Sequence, residues 1–293
     1  MSEDKNNKEL LKGAYDIHVH AAPSIFPRWG DADDLVRLCD RYSMAGVVLK
    51  AHHGDTVALA QILNKQYACQ VSGGVVLNQF VGGLNPACVE AALHLGAKII
   101  WLPTLHARNH RLQLGSLGSF HFQKSGLDPD LSREIAILDE SGNLLDPMKK
   151  ILRLLTGEGL VLATGHVGKD EIFALHRYIV EHELDINLLV NHVFFTAPGL
   201  ELEDLAHLHN DQTWFEISHL TYTEITRAAS YDKVVSALKK HPEFKWVMVS
   251  DSGQTSNLKC PEALAQFASE LRKRGVAEGE LTQYLKENPR VLL

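Results

Sequence analysis

The chain is poor in cysteine, with four in 293 residues, at positions 39, 69, 88 and 260. None sits in CxxC spacing, so the simplest account is free thiols in a reducing cytosol. Net positive charge is also missing. The formal charge is −7 with the acidic residues dispersed, and without a basic stripe nucleic acid is not an expected partner. No stretch approaches the ~18 apolar residues of a membrane span. The opening MSEDKNNKELLK is too charged for the apolar core of a signal peptide. These absences lead to the expectation of a cytoplasmic protein with no membrane partner. No GxGxxG or Walker A loop is present to cradle phosphates. No Pro/Ser-rich linker or low-complexity tract separates a second domain, so residues 1–293 are read as one.

What the chain does have is apolar bulk and histidine. Forty-five per cent of residues are hydrophobic and 16 are histidine. Short β-branched runs alternate with longer amphipathic ones. AYDIHVH, GVVLKAH, VSGGVVLN, AKIIWLPT, LVLATGHV, NLLVNHV, WFEIS and KWVMVSDS read as strands. Several are continuous Val/Ile/Leu runs, as parallel strands buried on both faces require. The helical segments between them carry end signals: acidic residues opening DADDLVRLCDRYSMAG and Gly46 closing it, Asp55 before TVALAQIL, and Pro86 in the first turn of its helix. About eight β-then-α units in a chain of this length predict a (β/α)8 TIM barrel, for which roughly 250 residues is typical. One segment breaks the rhythm, an insertion after strand 4 at about 103–147. Within it IAILDESGNLL reads as a small hairpin turning near Gly142. The insertion is placed to cover the barrel mouth.

In such barrels the C-terminal strand ends face the active site. The first strand ends in His18 and His20, which on a regular strand share a face. The second ends at Lys50 followed by His52 and His53, the fifth in His166, the sixth in His192 and the eighth in Asp251. Each histidine alone is more simply a core or surface residue. Imidazoles and a carboxylate converging from separate strands compose a metal site, and these donors suit zinc, iron, manganese or nickel. Arg28 lies after the first strand and Arg108 opens the insertion. Either guanidinium would bind an anionic group on a small-molecule substrate, and His53 is a further candidate contact. His94, His176, His182, His207, His209 and His241 fall on or beside helices and are read as structural.

The D-x-H-x-H start, the single histidines ending strands five and six, the Asp ending strand eight and the closing LKENPRVLL together resemble the amidohydrolase superfamily of metal-dependent hydrolases, over nearly the whole chain. The resemblance implies that His18, His20 and Asp251 hold one divalent metal ion, most simply zinc. It implies that His166 and His192 hold a second or orient substrate, and that Asp251 is the catalytic general base. It also implies that Lys50, on the second strand, bridges two metals as a carboxylated lysine, because the end of strand four, IIWLPTL, offers no bridging side chain. An unmodified Lys50 would instead accompany a single metal or clamp a substrate carboxylate. Asp16 is either an acceptor that sets a ligand's tautomer or a strand-start residue. The expected activity is hydrolysis of a C–N or C–O bond in an amide, cyclic amide, lactone or ester. A non-oxidative decarboxylase of the same superfamily fits the same motif, and a metal-containing binding protein without catalysis is a further alternative. Relatives of this kind often assemble, so a homo-oligomer is allowed for.

Overall fold

The computed structural model describes residues 2–126 and 133–293. Eight parallel strands follow one another in chain order: β1 Tyr15–Val19, β2 Gly46–Leu49, β3 Gln70–Val76, β4 Ile99–Trp101, β5 Val161–Ala163, β6 Asn187–Val190, β7 Thr213–Ser218 and β8 Lys245–Val249. The sheet comes round on itself where Val19 bridges Ser252, with His20 N–H donating to the Ser252 carbonyl at 2.8 Å. This is the (β/α)8 TIM barrel that the alternating runs predict.

Two apolar layers hold it. Ile17, Val48, Val76, Ile99, Trp101, Leu189, Trp214 and Val247 fill the barrel interior. A larger outer layer packs the helices onto the sheet. Leu292, in the last helix, joins the interior layer and plugs the end opposite the site. Helix α1 (Ser2–Leu11) precedes β1 and α3 (Val57–Leu63) follows β2; elsewhere the helix ends follow the local chemistry. Asp31 caps α2 (Ala32–Arg41) in a reciprocal capping box with Asp34, and Asn85 caps α4 (Pro86–His94), which starts on proline. Gly46 does not close α2. The helix ends at Arg41, with Tyr42 as its C-cap, and Gly46 starts β2, where a side chain would strike Tyr15.

The insertion after β4 contains α5 (Arg108–Leu114), and α6 (Asp146–Leu155) follows it. The sequence reading names neither helix. The expected hairpin is present as a single Leu138–Leu144 bridge around Gly142, at φ +80°. Residues 127–132 of the insertion lie outside the described residues.

One irregularity decides the site. Asp16 pairs with Val47 but Val19 pairs with Leu49, so β1 spends three residues where β2 spends two. This bulge breaks the strand's strict alternation. Ile17 and His18 both turn inward, while Asp16 faces the outer layer and meets Cys260.

Candidate metal centre

The strand ends gather a buried set of polar side chains at the C-terminal mouth. His18, His20, Lys50, His166, His192 and Asp251 are each at most 6% exposed, and all six line one cavity. His18, His192 and Asp251 each offer a ligand atom within 4.8 Å of the others. Asp251 Oδ1 lies 3.5 Å from His18 Nε2 and 3.2 Å from His20 Nε2, and its Oδ2 lies 3.6 Å from His192 Nε2. Backbone shape helps to aim two of these residues. His192 and Asp251 sit at φ +45° and +50°, a left-handed conformation that non-glycine residues avoid unless the surroundings impose it. Gly253, at φ +138°, lets the chain after Asp251 run against the His20 carbonyl, where a Cβ would collide.

Hydrogen bonding assigns the protons. His18 Nδ1 is 3.0 Å from Glu216 Oε1, and His20 Nδ1 is 2.8 Å from the Lys50 carbonyl. A carbonyl or an ionised carboxylate only accepts, so both Nδ1 atoms carry hydrogen. Burial holds His20 near pKa 3 and lowers His18, the latter helped by the nearby Lys50 charge, so both rings are neutral. Asp251 is ionised: burial pushes its pKa up, but His18, His20 and His192 together more than offset this and drive it well below the usual carboxylate range. Two imidazole lone pairs therefore face a carboxylate oxygen across a buried space. Acceptor opposing acceptor is costly without a positive charge between them. Lys50 Nζ, 2.9 Å from His18 Nε2, meets the first lone pair. His20 Nε2 instead faces Asp251 Oδ1 with no side-chain cation of the described residues between them, in a donor set that suits a divalent ion.

Glu216, on β7, is the buried residue of the candidate site that the sequence reading misses. It is fully buried. Its Oε1 accepts from His18 Nδ1 and from the His192 backbone N–H at 3.1 Å, and its Oε2 accepts from Asn191 Nδ2 at 2.8 Å. His192 Nδ1 is also 3.2 Å from Oε1, although too poorly aligned to form a hydrogen bond. Burial alone would raise the Glu216 pKa, but His18 and His192 outweigh it and keep the carboxylate ionised. The signal was the charge itself, a Glu in the middle of the buried run WFEIS, which requires a partner.

Lys50 Nζ lies 2.9 Å from His18 Nε2 and 5.5 Å from the Trp101 ring. Burial brings its pKa down to about 8 against the opposing pull of Asp251 and Glu216. Asp16 is not a ring acceptor. Its Oδ1 accepts the His18 and Ser250 amides at 3.2 Å each, and its Oδ2 accepts the Cys260 thiol at 3.1 Å.

The three substrate-contact expectations divide. Arg28 lines the cavity, forms no ion pair among the described residues and donates from Nε to Ser24 Oγ at 3.2 Å. Burial lowers its pKa to about 10, so it stays charged at neutral pH. Arg108 and His53 do not line the cavity. Arg108 points outward into an ion pair with Glu134, because helix α5 turns it away from the mouth. His52 takes the place expected of His53, its ring stacked on His20 at 4.8 Å. The helical histidines expected to be structural stay out of the cavity. Phe120, Phe122 and Gln123 of the insertion close over it, and Gln123 Nε2 donates to the Pro27 carbonyl at 3.1 Å.

Solved structures share this architecture. An amidohydrolase from Pseudomonas aeruginosa superposes with a TM-score of 0.61 at 12% identity, covering 100% of this chain and 98% of its own. The probable dipeptidase PvdM from Pseudomonas aeruginosa gives 0.62 at 10%, covering 99% and 98%. An enamidase described as a member of the amidohydrolase superfamily gives 0.54 at 13%, covering 96% and 67%. At these identities the likeness is one of fold. No curated protein matches the chain. Among the described residues no helix is long and apolar enough to cross a membrane. Residues 13–216, from just before β1 to Glu216, match a family of unknown function (DUF6282), and the chain belongs to that family.

Proposed function

We propose that the chain is a metal-dependent hydrolase that cleaves a C–N or C–O bond of a small molecule, such as an amide, cyclic amide, lactone or ester. The observation that carries this reading is the buried meeting of neutral His18 and His20 lone pairs with the Asp251 carboxylate at the closed barrel mouth. The fold it shares with an amidohydrolase and an enamidase supports it. His18, His20, His192 and Asp251 would hold a divalent ion, with zinc the ion we propose, and His166, which lines the same cavity, would complete the ligand set or hold a second ion. When bound, the ion supplies an acidified water, with its pKa brought from 15.7 toward ~7, and a polarised acyl oxygen.

The chain's own residues perform the remaining tasks. Asp251, ionised at neutral pH, takes a proton at a carboxylate oxygen and returns it to the leaving group. Arg28 orients an anionic group of the substrate through its planar fork. Phe120, Phe122 and Phe195 exclude bulk water and favour a partly apolar ligand. Lys50, with its pKa near 8, has enough free amine to take up carbon dioxide as a carbamate, which would turn the group beside His18 from a competing donor into an anionic ligand.

Elemental analysis of the purified protein, followed by a screen against amides, lactones and esters, tests the reading. Asp251→Asn should keep most of the metal and lower turnover by about 100- to 10,000-fold. Unchanged turnover would remove Asp251 from proton transfer. A single cluster of three mutually close donors among the described residues favours one second reading, a mononuclear decarboxylase. One metal per chain, an unmodified Lys50 by mass spectrometry and carbon dioxide release from an aromatic acid would select it.

A further inference from the structure

The insertion contributes a histidine that the reading above leaves unused. His110 stands on α5, fully buried, with its ring stacked on His166: centroids 5.1 Å apart and planes 13° from parallel. The two Nδ1 atoms are 2.8 Å apart. Nitrogens at that distance share one hydrogen, and the far side of His110 shows which ring owns it. His110 Nε2 lies 2.8 Å from the Ser119 carbonyl, which only accepts, so Nε2 carries hydrogen. No carboxylate among the described residues pairs with His110. A second hydrogen on Nδ1 would therefore make an uncompensated buried imidazolium. His110 Nδ1 is thus the acceptor and His166 Nδ1 the donor, which leaves His166 Nε2 with a free lone pair.

We propose that His110 is a positioning residue that locks His166 in the Nδ1–H tautomer, and that it ties this state to the lid. Ser119, which holds His110, immediately precedes Phe120, and the Phe120 ring contacts both histidines, at 5.1 Å and 5.8 Å. The insertion that closes the cavity therefore also determines which nitrogen of the strand-five histidine is available. Only the consequence for metal affinity rests on the proposed function; the tautomer does not.

Nitrogen-15 spectra of the metal-free protein, labelled at histidine and assigned by single substitution, read the protonated nitrogen of each ring. Hydrogen on His166 Nδ1 in the unsubstituted protein is expected, and hydrogen on Nε2 would overturn the proposal without any variant. His110→Phe keeps a flat ring but offers no acceptor, so His166 should move to the Nε2–H form or a mixture. An unchanged His166 spectrum in that variant would equally refute the proposal. His110→Gln has an amide oxygen for His166 and an NH₂ for Ser119, and should restore the Nδ1–H form. Zinc affinity, measured by chelator competition, should fall about 10- to 100-fold in His110→Phe and stay within about threefold in His110→Gln. A tautomer that shifts in His110→Phe with zinc affinity unchanged supports the positioning role and removes His166 from the metal.

Discussion

Replacing Glu216 with Gln changes one atom and removes one charge from the residue that organises the site. The carboxylate takes three aligned hydrogen bonds, from His18 Nδ1, the His192 amide and Asn191 Nδ2. A carboxamide cannot satisfy all three. With its nitrogen in the Oε2 position, it faces the Asn191 NH₂, donor to donor. Asn191 cannot simply flip, because its Oδ1 accepts the Gly165 amide at 2.8 Å. With its nitrogen in the Oε1 position, it opposes two donors and forces His18 to move its hydrogen to Nε2, which abolishes that lone pair. The first arrangement is the cheaper. It leaves two buried donors unmet, the Asn191 NH₂ and that of the new carboxamide, at about 1–3 kcal/mol each, and halves the strength of a charge-assisted bond to His18. Glu216→Gln should therefore lower stability by about 3–7 kcal/mol. It should also weaken zinc binding by about 10- to 100-fold through loss of basicity at His18. Urea unfolding of the metal-free protein gives the first quantity and chelator competition the second. Unchanged stability together with unchanged zinc affinity would refute the assignment of Glu216 as the acceptor that orients His18.

Two further outcomes follow from the buried titrating groups. Burial lowers the pKa of His18, His20, His52 and His166, so the unfolded chain binds protons that the fold refuses. Their contribution is complete above the ordinary value of 6.5 and is lost as pH falls below it. The metal-free protein should therefore weaken between pH 6.5 and 5 with a limiting slope of about 1.4 kcal/mol per pH unit for each histidine. Asp16 opposes this as a single group, since burial raises its pKa to about 6 and its contribution fades as pH rises through that value. Denaturant midpoints equal at pH 7 and pH 5 would contradict the neutral-ring assignment. Asp16→Ala strips the acceptor from two buried amides and should cost about 2–5 kcal/mol, whereas Asp16→Asn keeps the Oδ1 acceptor and should stay within about 1 kcal/mol of the parent at pH 7. Equal losses in the two variants would show that the Asp16 side chain is not bonded as described.

The residues that bear on chemistry were legible in one dimension to the extent that their positions repeat. Strand-ending histidines and an aspartate, each at the end of a Val/Ile/Leu run, predict a common rim once the runs are counted as eight parallel strands, because a closed barrel brings every C-terminal strand end to one face. Arg28 and the placement of the insertion over the mouth belong to the same prediction, since the loops on that face have little else to cover. Composition and periodicity settle these matters, since both depend only on local spacing.

The tertiary structure alone decided which atoms meet. The extra residue in β1 separates Asp16 from His18, and no alternation rule contains a bulge that depends on how β2 and the chain after β8 pair with it. Glu216 and His110 matter because strands and an insertion far apart in the chain bring them beside His18 and His166. Arg108 and His53 face elsewhere because one helix and one loop turn in directions that spacing does not encode. Which ring nitrogen carries hydrogen follows from acceptors contributed by other elements, and those are neighbours only in the folded barrel.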